Sequence, residues 1–442
     1  MFSDLYDYQR IDGMKSLQPT DSWRLGVFSL GLSFSVYYVL QYLLTPLIWW
    51  AVRDNSYFEL ANDTFFHLYS KGLVIATEES ITYSLIGLGS FLFAYHSVPT
   101  RISGAGIPFF SGGWHLSRVI LVAGGLFVLG FALKAVKIAL GANIAFGALQ
   151  VSLISNPKLA FFLSLNWFHY LGFLITNIAY REANHYSHPE ADRLRRFAYL
   201  INFIFIGCSL LSGSKAGTLF PILSLLIIRQ YYVPLSIKKT IGVSVVLVVF
   251  VLAVKAIITS VVQGGDTATE FWGDMLYLLF YRINLSWVIA AIVDYGNDLF
   301  PDGTLGQFWV DFAFYSISKQ NVLDGNVFGQ ALGLISDEDA VTGVAVTNIG
   351  DFFINFGLLG VVLGFAMNGA LFRLFFETCL DRKPLYVLFY AAIWPILMHG
   401  LESPISVLYS TALKMLALCL VLHFSLASSR YAPGRMQSPR RG

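Results

Sequence analysis

Charged side chains are scarce in this sequence: Asp, Glu, Lys and Arg make up 13% of its 442 residues, roughly half their share in a soluble domain. That scarcity excludes an ordinary water-solvated surface. Cysteine is nearly absent too, and with only Cys208, Cys379 and Cys419 a disulfide framework is excluded. The cysteines and histidines show no metal-ligand spacing. Neither an internal repeat nor an inverted half-symmetry is visible, and such repeats build the binding site in many transporters. The formal net charge of +2 gives no reason to expect a nucleic-acid partner. Residues 1–24 are polar and lack the apolar core of a cleavable signal, so the first apolar run is expected to stay as an anchor.

Apolar residues are what the sequence has in abundance. They make up 56% of the chain, with 16% aromatic and a mean hydropathy of +0.63. Lipid is the solvent this composition fits. A hydrocarbon core of roughly 30 Å takes about 20 apolar residues per helical span, and the polar breaks predict ten spans: 25–50, 72–95, 117–138, 159–180, 197–211, 218–233, 241–261, 352–376, 385–400 and 405–427. The predicted fold class is thus an all-α integral membrane protein, with about ten transmembrane helices and one large periplasmic loop containing amphipathic helices. Its parts are an N-terminal tail (1–24), seven spans (25–261), the loop (262–351), three spans (352–427) and a basic tail (428–442).

Orientation follows from the basic residues. With the N-terminus cytoplasmic, 19 of the 29 Lys and Arg residues fall on the inner side, among them Arg193, Arg195, Arg196, Lys238, Lys239 and the tail from Arg430 to Arg441. The positive-inside rule then places both termini in the cytoplasm. Phe271 to Val293 is apolar enough to be read as an eleventh span, but Asp274, Arg282 and Asn284 interrupt it. If it crossed, the basic tail would lie outside, so a helix entering or lying along the outer leaflet is preferred.

Thr347-Asn348-Ile349-Gly350-Asp351-Phe352-Phe353-Ile354-Asn355-Phe356-Gly357-Leu358-Leu359-Gly360 leads from the loop into the next span. Gly213-Ser214-Lys215-Ala216-Gly217 forms a short outer turn. With the single large loop ahead of three final spans, these passages resemble the Wzy-type polymerases of O-antigen and other oligosaccharide repeat units, polytopic glycosyltransferases of GT-C-like kind. The resemblance covers most of the architecture but only about 40 residues in letters. It implies a membrane glycosyltransferase of lipopolysaccharide or other surface polysaccharide biosynthesis, without a cofactor. This enzyme would polymerise repeat units carried on undecaprenyl diphosphate at the periplasmic face of the bacterial inner membrane, inverting the anomeric centre. A chain-length regulator and a flippase in the same membrane are candidate partners. The rival readings are the ligase that moves finished O-antigen to the lipid A core, and a flippase or transporter for lipid-linked oligosaccharides.

Such chemistry needs cations for a diphosphate and a base for a sugar hydroxyl. Arg282 is the best cation, because an arginine within an apolar stretch is costly unless it meets an anion or water. Its alternative is a pair with one of the twelve Asp or Glu residues between Val262 and Asp351. Lys215 and Lys319 occupy positions where the resemblance suggests phosphate contacts, although lysine lacks the planar fork of arginine. His399 and Glu402 stand three apart at the end of the ninth span and would share a helix face, as a base and the group that orients it. A helix-end hydrogen bond explains the same spacing. Glu78, Glu79 and Lys255 are ionisable residues at membrane depth, with ion pairing as the plainer account. Asn348 and Asn355 are candidates through the motif that contains them.

Overall fold

The computed structural model describes residues 26, 28–44, 46–47, 76–99, 114–139, 167–211, 215–233, 236–263, 285–299, 330, 346–380, 383–403 and 405–427. Eleven α-helices carry these residues. They are α1 Leu30–Val39, continued as a π-turn over Leu40–Leu44; α2 Glu78–Ser97; α3 Leu116–Ala139; α4 Phe168–His185; α5 Ala191–Leu211; and α6 Lys215–Tyr232. After these come α7 Ile237–Gln263, α8 Ser286–Leu299, α9 Thr347–Thr378, α10 Pro384–His399 with a 3-10 turn over Gly400–Glu402, and α11 Ile405–Leu426. No strand occurs among the described residues, apart from an isolated bridge between Trp114 and Ala427. The described parts of the ten predicted spans are helical, and α8 is additional. Four segments among the described residues are long and apolar enough to cross a membrane: Leu116–Val136, Thr347–Thr378, Pro384–Glu402 and Leu408–Leu426.

The outward surface is that of a protein in lipid. Phe203 is 81% exposed, Leu121 80% and Phe93 75%, a scale of apolar exposure that soluble monomers avoid. The interior is built around α10. Apart from Phe389, every residue from Pro384 to Met398 is buried, as expected of a helix that is apolar all round. It packs against α1, α4, α6 and α11. Pro384 opens the helix, where a missing N–H costs nothing. Pro395 lies inside it and withholds the N–H that the Ala391 carbonyl would otherwise accept. That carbonyl instead accepts from Tyr170 Oη of α4 at 3.2 Å and Ser224 Oγ of α6 at 2.9 Å. The proline thereby frees the acceptor that ties three helices together.

α2 and α9 run side by side. Tyr83 meets Phe353 (ring centroids 5.3 Å apart), Phe91 meets Phe372 (5.8 Å), and Arg373 lies over the Tyr95 ring (5.3 Å). Contact this close needs small residues, and a Cβ at Gly369 would strike the Phe91 carbonyl. The same holds between α3 and α4, where a Cβ at Gly130 would meet the backbone of His169. The motif stretch 347–360 is a broken helix. Phe356 (φ −143°) and Gly357 (φ +62°) leave helical geometry, a left-handed backbone that glycine adopts without penalty. The helix begins at Thr347, inside the segment read from sequence as the end of the loop.

Candidate active site

One end of the bundle gathers the end of α1, the first turn of α9, the start of α11 and the turn that closes α10. His399 and Glu402, paired on sequence grounds, do meet there. Nδ1 of His399 lies 3.6 Å from Oε2 of Glu402, with the histidine half exposed and the carboxylate 12% exposed. This is beyond hydrogen-bond length. The imidazole packs against the Phe220 ring of α6, centroids 5.5 Å apart.

Glu402 is held from α1. Its Oε1 accepts from Tyr37 Oη at 2.6 Å and from Gln41 Nε2 at 3.1 Å, and Tyr42 Oη donates to the neighbouring Leu401 carbonyl at 2.9 Å. The π-turn makes this possible. A widened turn carries one extra residue and resets the helix face, so that Gln41 and Tyr42 are both fully buried against the 3-10 turn. Oε1 accepts from both of these donors, and Oε2 is the carboxylate oxygen turned toward Nδ1 of the histidine.

Asp351 supports the same turn from the other side. Fully buried, it accepts from the backbone N–H of Ile405 through Oδ2 at 2.6 Å and from Asn355 Nδ2 through Oδ1 at 2.7 Å. A carboxylate there caps α11 and faces the positive end of its dipole. Asn348, Asp351 and Asn355 form a buried polar stripe at helical spacing. Asp351→Ala is expected to cost about 1–3 kcal/mol, since the Ile405 N–H loses its acceptor in a dry environment. Asp351→Asn keeps an acceptor and should lose less. Thermal midpoints of the two variants purified in detergent would measure the difference.

The other predicted residues are placed differently. Glu78 and Glu79 are exposed in the first turn of α2, where a capping box between Thr77 and Ser80 closes the helix and its dipole favours acidic side chains. Lys215 is the first residue of α6 and Lys255 lies within α7; the side chains of both fall outside the described part. Arg282 and Lys319 lie outside the described residues, as do most of the loop 262–351 and both tails. Among the described residues no cluster of His, Cys, Asp or Glu could hold a metal ion.

Sequence reasoning missed Tyr37, Gln41 and Asp351. Gln41 is the only side-chain amide in the first apolar run, a signal that could have exposed it. Asp351 was legible as the middle of the spaced stripe, whereas Tyr37 is one tyrosine among many.

No curated protein and no solved structure matches the chain. A family model does: that of the O-antigen polymerases, over residues 125–412, which runs from within α3 to within α11 and takes in His399, Glu402 and Asp351. With well over half of its 442 residues matched, including the turn on which the polar cluster is built, this membrane protein belongs to the O-antigen polymerase family and is a polymerising enzyme of the glycosyltransferase kind.

Proposed function

We propose that this protein joins oligosaccharide repeat units carried on undecaprenyl diphosphate, working at the periplasmic face of the bacterial inner membrane. The observation that carries the reading is the His399–Glu402 pair, anchored by Tyr37 and Gln41 at one end of a lipid-facing bundle. A lipid-linked glycan has its tail in the bilayer and its sugars in water, so its reacting bond lies at such an end.

Nε2 of His399 takes the proton from a hydroxyl at the non-reducing end of the acceptor unit. The resulting oxygen nucleophile attacks the anomeric carbon of the donor. The bond from that carbon to the diphosphate breaks, its electron pair goes to the diphosphate oxygen, and direct displacement inverts the centre. Glu402 stabilises the imidazolium that forms. Arg282, with Lys215 and Lys319, meets the charge that grows on the leaving diphosphate. A flippase supplies the units and a chain-length regulator acts on the product.

Two features support the orientation. The charge pattern puts both termini inside, and helix ends assigned to one side meet each other: Trp114, before α3, donates to His423 near the end of α11 at 3.2 Å. Asp324→Cys should react with an impermeant thiol reagent in intact cells, and labelling only after lysis would mean that Phe271 to Val293 crosses the membrane. The function itself is tested by deletion. Loss of the gene should leave lipid A core bearing a single repeat unit on a lipopolysaccharide gel, whereas core with no repeat at all would mean a ligase or a flippase.

A further inference from the structure

Buried polar atoms in a lipid-embedded bundle find partners inside the chain or from something bound, because an unmade hydrogen bond there is costly. The amide of Asn348 has no partner among the described residues. It is 1% exposed, and among the described residues neither its nitrogen nor its oxygen has a hydrogen-bond partner. Interchanging the two atoms changes nothing, since both are unpartnered. Gln41, fully buried, uses its nitrogen on Glu402 and leaves Oε1 likewise without a partner.

These two amides belong to adjoining turns. Thr347, next to Asn348, touches the Tyr42 hydroxyl, next to Gln41. Thr347 also has a φ of +66°, a left-handed backbone that is a true outlier for a β-branched residue. Strain of this kind survives where the surroundings impose it, and it gathers at ligand clamps.

The unmet atoms define what would fit. Two acceptors and one NH₂ donor suit neither a phosphate, which only accepts, nor a bare cation, which would leave the Asn348 nitrogen unmet. A group that both donates and accepts satisfies all three, and sugar hydroxyls are such groups. Resting on the function proposed above, we infer that Asn348 and Gln41 Oε1 form a subsite for hydroxyls of the acceptor's terminal sugar. Gln41 also donates to Glu402, so a sugar held there is bound beside the His399–Glu402 pair.

Asn348→Leu separates this role from a structural one. An apolar side chain of similar volume relieves an unpaired amide, so the thermal midpoint in detergent should stay level or rise. In membranes titrated with the undecaprenyl-diphosphate-linked repeat unit, the half-saturating concentration for polymer formation should rise about 10–100-fold with the maximal rate little changed, as expected for lost hydrogen bonds to a bound ligand. An unchanged half-saturating concentration would overturn the subsite while leaving the polymerase reading intact. Absence of polymer from the wild-type protein would instead overturn the polymerase reading. Asn348→Ala is scored identically, and failure of both variants to accumulate would show that the amide serves folding, which also overturns the subsite.

Discussion

Replacing His399 with alanine is expected to lower polymer formation about 10²–10⁴-fold, the usual contribution of a positioned general base, with membrane abundance unchanged. Abundance should hold because the imidazole is half exposed and its contacts among the described residues are one ring edge on Phe220 and one carboxylate at 3.6 Å. The bonds that hold the end of the bundle together run through Glu402, Leu401 and Asp351 instead. Glycan ladders beside an immunoblot of the membranes give both quantities at once. Normal ladders from His399→Ala at normal abundance would remove the histidine from the mechanism.

Arg282→Lys is expected to lose about 10²–10³ in rate, the cost commonly seen when a donor acting on transition-state charge is removed. The charge is kept in this variant, and what is lost is the planar pair of N–H groups that can grip two phosphate oxygens together. If the arginine only pairs with a loop carboxylate, lysine replaces it with little loss, and Arg282→Ala shows its defect as reduced protein level. Ladder length and abundance measured for both variants distinguish the two roles. Full ladders from Arg282→Ala would eliminate it as a contact to the reacting group.

Local signals were legible in the sequence, and distant ones were not. The apolar run 385–400, opened by Pro384, announces α10, and the three-residue spacing of His399 and Glu402 announces that they face each other. Both readings need only helical geometry. What holds Glu402 cannot be read that way, because Tyr37 and Gln41 lie 365 and 361 residues away. The π-turn that turns Gln41 inward adds no residue type by which a sequence would betray it. At Asn355-Phe356-Gly357 the letters were read as the entry to a span. The positive φ at Gly357 makes the same letters a break between two helical pieces, and a glycine at such a position is ambiguous until its backbone angle is known.

The pairing of α1 with α10 has a consequence in time. Phe28, Tyr37, Gln41 and Tyr42 find their partners at Tyr390, Glu402 and Leu401, so α1 must wait for a segment translated some 360 residues after it. At synthesis rates of about 5–20 residues per second, some 360 residues take roughly 20–70 s. Throughout that interval Gln41 and Tyr37 are polar groups whose final neighbour, Glu402, has not yet been made. The polar cluster therefore cannot mature step by step during insertion. It closes late, when the turn carrying Leu401 and Glu402 arrives beside α1.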